Sequence, residues 1–85
     1  MKEFNYVIKD EEGIHARPAG ELIKAAKAFG CNIQMTKDGK AADCKRLFAV
    51  MGLGVKKGNE VTITFDGDDE AEAYASISKF MQENL

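Results

Sequence analysis

Phe4, Tyr6 and Ile8 stand at alternate positions, which predicts an opening strand that stops at the charged run Lys9-Asp10-Glu11-Glu12 before Gly13. The rhythm then changes. Ala19, Leu22, Ile23, Ala26 and Phe29 recur three and four residues apart, predicting a helix over 16–28 with that stripe on a core. Pro18 falls in its first turn, where the missing N–H removes nothing the helix needs, and Gly30 is expected to cap its end. Alternation returns at Cys31, Ile33 and Met35, and Asp38-Gly39 between Lys37 and Lys40 is a two-residue hairpin turn leading into a short strand that reaches Asp43. From Lys45 to Leu53, Leu47, Val50 and Met51 suit the inner face of a short helix ended by Gly54, and Lys57-Gly58 turns the chain. Val61, Ile63 and Phe65 alternate with two threonines in a strand expected at the centre of a sheet. Asp68 or Asp69 is placed to cap a last helix with Glu70 and Glu72 in its first turn and Ala73, Ile77, Phe80 and Met81 on its buried stripe. The order β-α-β-β-α-β-α defines an α+β fold with helices on one face of an antiparallel sheet, a single domain over residues 1–85.

Candidate chemistry gathers at the first helix start, in Gly13-Ile14-His15-Ala16-Arg17-Pro18, which holds the only histidine and the only proline. The first N–H groups of a helix lack internal partners and carry a partial positive charge, so an anion beside His15 is stabilised there. Neutral imidazole is a nucleophile able to form covalent intermediates, and the Arg17 guanidinium presents a planar fork matched to phosphate oxygens. The triplet His15, Ala16 and Arg17 therefore reads as a phosphoryl acceptor. Against it stands the plain alternative of a surface or N-capping histidine, which holds for most lone histidines.

The wider motif decides between them. Gly-Ile-His-Ala-Arg-Pro-Ala resembles the active-site signature of HPr, the histidine-containing phosphocarrier family of the bacterial phosphoenolpyruvate-dependent sugar phosphotransferase system. The Asp38-Gly39 turn, Lys45 with Leu47-Phe48, Gly52-Leu53-Gly54 and Lys57-Gly58 extend the resemblance along the whole chain. It implies an open-faced sandwich with four strands in the order 1-4-2-3 and three helices on one face. It also implies that His15 takes a phosphoryl group from phospho-Enzyme I and passes it to Enzyme IIA domains of sugar permeases, so that the protein is their substrate and not itself an enzyme. Arg17 and the Ala16 amide would hold the phosphate. Leu47, Phe48 and Met51 would form the partner surface, rimmed by Lys24, Lys27, Lys45 and Arg46. By residue type alone, packing of those three apolar side chains in the core is an equal expectation. A regulatory protein-binding module that uses His15 phosphorylation only as a switch is the second reading.

Two positions depart from the family pattern. Glu12 replaces a small polar residue, bringing a carboxylate that repels a phosphoimidazole unless it points outward. Arg46 stands where many Gram-positive relatives carry a regulatory serine, and no serine, threonine or tyrosine occurs from Lys37 through Val61.

Charge and composition narrow the partners. The net charge of −2 conceals a segment from Gly13 to Lys57 with nine basic residues against Glu21, Asp38 and Asp43, leaving the remainder at −8. A basic middle suits acidic protein surfaces, and acidic ends argue against nucleic acid. The apolar runs are too short to span a bilayer and the start lacks a signal-peptide pattern, so a cytoplasmic protein without membrane insertion is expected; a monomer is expected as well. Cys31 and Cys44 form no Cys-x-x-Cys pair, and with one histidine they make a poor metal set; reduced, partly buried thiols and no metal or cofactor are expected.

Overall fold

The computed structural model describes all 85 residues, Met1–Leu85. Its elements are β1 (Lys2–Val7), α1 (Ala16–Lys27), β2 (Asn32–Lys37), β3 (Lys40–Asp43), α2 (Leu47–Gly52), β4 (Glu60–Asp66) and α3 (Glu70–Asn84). The four strands form one antiparallel sheet in the order β1-β4-β2-β3, so β4 is indeed internal. Its period-two pattern follows from that position: Val61, Ile63 and Phe65 are fully buried on one face, while Thr62 and Thr64 stand half-buried on the other.

Register turns this pattern into a core. Phe4 pairs with Ile63, Ile63 with Met35 and Met35 with Ala42, one row of apolar side chains crossing all four strands beneath the helices. A slip of one residue in any strand would move its whole apolar set to the open face. That face is polar, with Thr62 Oγ1 donating to Asn5 Oδ1 at 2.7 Å. Helix α1 contributes Ala19, Leu22, Ile23 and Ala26 to the core, and α3 contributes Ala73, Ile77 and Met81. Tyr74 covers the β1–β4 edge, its ring meeting Phe65 edge-on at 5.6 Å and Phe4 at 6.0 Å.

The hairpin between β2 and β3 has the expected turn, with φ of 51° at Asp38 and 81° at Gly39. Gly54, at φ 63°, follows the α2 end and donates its N–H to the Met51 carbonyl. Gly30 does not cap α1. The helix ends at Ala28 in right-handed geometry, and Gly30 instead donates its N–H to Asp69 Oδ2 at 2.8 Å. Asp69 in turn stands at the N-cap of α3 without capping it, because both carboxylate oxygens are taken by the Gly30 and Cys31 amides. The side chain joins the α1–β2 connection to the start of α3, a tertiary use that displaced the local one.

Both cysteines are free and buried. Burial, reinforced by Asp43, pushes the Cys44 thiol up to about 12, and burial followed by Asp69 raises Cys31. Protonated thiols of this kind are poor nucleophiles and poor metal ligands. No helix is long and apolar enough to cross a membrane.

Candidate phosphoryl-acceptor site

His15 occupies the N-cap of α1 with extended backbone (φ −97°, ψ −178°) and a side chain that makes no capping bond. Its carbonyl accepts the Ala19 N–H at 3.0 Å, closing the first helical turn. The donors ahead of that bond number only two, because Pro18 has none: the N–H groups of Ala16 and Arg17 find no acceptor in the protein. Proline in this turn thus leaves a pair of amides at the positive end of a twelve-residue helix, beside an imidazole whose side chain is 37 % exposed. An open depression of about 230 Å³ lies there, lined by Asp10, His15, Arg17, Pro18, Glu21 and Asn84.

The segment that delivers His15 is held from three sides. Lys9 and Asp10 donate their backbone N–H groups to the Leu85 carbonyl at 2.6 and 2.9 Å, tying the segment to the end of α3. Asp10 folds it internally, accepting the Gly13 N–H on its carbonyl and the Glu12 N–H on Oδ1. Ile14 is buried and donates to the Val55 carbonyl at 3.1 Å. Gly13 is left-handed there, at φ 67°, and a Cβ on it would fall 2.3 Å from the same carbonyl oxygen. Val55 and Leu85 escape sequence reasoning because they act through backbone groups that any residue possesses, and Asp10, which acts through its carbonyl and its side chain, is hidden in a charged run; only Gly13 leaves a legible trace.

The immediate surroundings of His15 are more acidic than the basic segment suggests. Glu12 does not point away: its Oε2 lies 3.5 Å from His15 Nε2. Arg17 is 87 % exposed and its Nε lies 3.9 Å from Glu21 Oε1, so the guanidinium rests along the helix over solvent. The group is free to move to an anion beside the imidazole, since an exposed i,i+4 pair of this kind contributes only about 0.3–0.5 kcal/mol.

Helix α2 packs beside α1 and resolves the competing expectations for its apolar residues. Val50 is fully buried and Leu47 half-buried, whereas Phe48 is 84 % exposed. Met51, expected on the inner face, is 37 % exposed, because a six-residue helix on this core turns only one row fully inward. Lys24, Lys27 and Arg46 are exposed. Lys45 is not a free rim cation: its Nζ donates to the carbonyls of Phe29 and Cys31, both at 2.8 Å, beyond the end of α1. Lys37 treats α2 likewise, donating to the Leu53 and Gly54 carbonyls. Each lysine bonds carbonyls of the chain just past a helix end, the end where the helix dipole favours a cation.

A helix start carrying a histidine, two open amides and an arginine, on a four-stranded open-faced sandwich, defines a class of phosphohistidine protein. The chain belongs to the HPr phosphocarrier family of the phosphotransferase system: the family model described as "PTS HPr component phosphorylation site" matches residues 2–83. Among solved structures, the histidine-containing phosphocarrier protein of Mycoplasma superposes with a TM-score of 0.94 at 36 % identity, over 96 % of this chain and 93 % of that one. HPr of Thermoanaerobacter tengcongensis gives 0.93 at 37 % identity, over 98 % and 93 %. The catabolite-repression protein Crh of Bacillus subtilis, a domain-swapped dimer, gives 0.79 at 32 % identity, over 94 % and 92 %.

Proposed function

We propose that this protein carries phosphoryl groups on His15, taking them from phospho-Enzyme I and delivering them to Enzyme IIA domains of sugar permeases. The observation that carries the reading is the pairing of a half-exposed imidazole with the two unpartnered N–H groups of Ala16 and Arg17 at the start of α1. Nδ1 is the acceptor atom in this reading. Covalent geometry places it next to Cγ, the ring nitrogen nearer the backbone amides, and Nε2 is already faced by Glu12. The Nδ1 lone pair attacks phosphorus as the bond to the donor nitrogen breaks, and the reverse exchange hands the group on. Open amides and a mobile Arg17 stabilise the charge on the transferring oxygens.

Leu47, Phe48 and Met51 form the docking surface in this proposal, with Lys24, Lys27 and Arg46 at its rim and Lys45 left out because its ammonium is engaged. Arg46 at the α2 N-cap offers no hydroxyl to a serine kinase, so the protein is read as permanently competent for transfer. A cytoplasmic monomer that completes no reaction alone, and uses neither metal nor cofactor nor nucleic acid, completes the reading.

Incubation with phosphoenolpyruvate and Enzyme I is expected to add one acid-labile, alkali-stable phosphoryl group, absent from His15→Ala, and an added IIA domain is expected to remove it. The similarity to Crh, a catabolite-repression protein, favours a second reading, a regulatory module, in which phosphorylation of His15 would be the switch. A protein that accepts the group but never passes it to any IIA domain would be such a module.

A further inference from the structure

We infer that Glu12 is a positioning residue that keeps the proton of His15 on Nε2 and compensates the charge which the imidazole ring acquires on phosphorylation. The inference rests on the carrier reading of the same site.

The Glu12 carboxylate faces Nε2 at 3.5 Å from within the delivering segment, and its own N–H is fixed to Asp10 Oδ1 at 2.8 Å. No protein group bonds the other ring nitrogen, and the His15 side chain does not cap its own helix. A carboxylate on one side of a neutral imidazole favours the tautomer with its N–H on that side, which leaves the lone pair on the opposite nitrogen. Nδ1 is then the nucleophile without any prior proton movement.

The charge balance of the step assigns Glu12 a second part. When the Nδ1 lone pair forms the N–P bond and the donor's nitrogen departs with the electron pair of the broken bond, the Nε2 proton stays in place. The ring thereby changes from neutral to a phosphoimidazolium of charge +1. Glu12 attracts that new charge directly, whereas the phosphoryl oxygens lie beyond the far side of the ring and nearer the amides of Ala16 and Arg17. The phosphoryl oxygens carry more charge than the ring but lie farther from Glu12 and are offset by the open amides and the Arg17 guanidinium, so attraction to the ring exceeds repulsion of the phosphate. The other charged groups at the depression are Asp10, Arg17 and Glu21, of which Glu21 is turned toward Arg17.

Because His15 is the only histidine, nitrogen-15 NMR of its ring in the unphosphorylated protein reads the tautomer without interference. The Nε2–H form is expected to dominate in the native protein and in Glu12→Gln, whose amide oxygen still accepts a proton, with the Nδ1–H form rising in Glu12→Ala. Phosphorylation by phosphoramidate, a small donor that needs no Enzyme I, is expected to slow about fivefold in Glu12→Ala, with Glu12→Gln between the two because it lacks the charge. An unchanged tautomer ratio in Glu12→Ala, or phosphorylation as fast as in the native protein, would overturn the inference. Faster phosphorylation would overturn it too, by showing that repulsion of the phosphate prevails. If the native protein takes phosphate from phosphoramidate but not from Enzyme I, the carrier reading fails while the tautomer measurement still decides the role of Glu12.

Discussion

The Ile14 N–H and the Val55 carbonyl oxygen meet at 3.1 Å, and that bond sets the residue directly before His15 against the connection that follows α2. Gly13 makes the approach feasible. Gly13→Ala is expected to cost about 2–4 kcal/mol, combining the left-handed penalty with the overpacking of a methyl against the Val55 carbonyl. Gly39→Ala, also left-handed but with open space at its Cβ position, should cost only about 1 kcal/mol. Urea unfolding of the two variants checks the difference, and phosphorylation at His15 should slow in the first alone.

Arg17→Lys separates geometry from charge. Arg17 is solvent-exposed and its ion pair is the loose one with Glu21, so stability should change by less than about 0.5 kcal/mol. Loss of the bidentate fork on the phosphoryl oxygens should slow transfer through His15 about tenfold, the size of one charge-assisted hydrogen bond. Transfer rates from Enzyme I at one ionic strength, with circular dichroism as the folding control, make the comparison. Equal rates would identify Arg17 as a bystander.

Asp69 makes stability depend on acid. Donation from the Gly30 N–H, followed by the hydrogen bond from Cys31, holds its carboxyl below the ordinary value of 3.8. A depressed folded value means that the contribution is fully present above the unfolded value and is lost as pH falls through the folded one. Asp69→Asn should therefore be less stable than the native protein at pH 6. The gap should narrow below about pH 4, as the native carboxylate is protonated. Thermal unfolding of both proteins from pH 6 to pH 2 tests this, and a constant gap across the range would exclude the carboxylate charge as its cause.

Phe48 in α2 and Lys45 just before it should behave in opposite ways. Phe48→Ala removes an exposed ring, so stability should move by less than about 0.5 kcal/mol, while affinity for Enzyme I should fall at least about tenfold if the ring is an interface anchor. Lys45→Met abandons the Phe29 and Cys31 carbonyls and should cost about 1–3 kcal/mol. Its effect on Enzyme I affinity at a temperature where both proteins are folded should be small. Calorimetric titration and urea unfolding of each variant give the two pairs of numbers.

Local patterns determined most of the architecture without reference to the fold. Alternation in 61–65, the three-and-four spacing from Ala19 to Ala26, and Asp38-Gly39 specify elements through the geometry of a strand, a helix and a turn, each contained within a few residues. The candidate acceptor site is a local feature too, because a helix start, a histidine and an arginine fall within three consecutive residues. Long-range partners decided the rest. Asp69 reads as a cap, yet it bonds amides 38 and 39 residues away; Lys45 reads as a surface cation, yet it reaches the end of α1. Polar side chains have several partners of similar energy, and only the packed chain selects among them. Met51 could not be placed by periodicity, since a helix of six residues has too few turns to define a face. The approach of Glu12 to Nε2 belongs to the same class: its sequence separation from His15 permits both contact and avoidance, and the bonds that Glu12, Gly13 and Ile14 donate to Asp10 and Val55 fix the backbone from which the carboxylate reaches the ring.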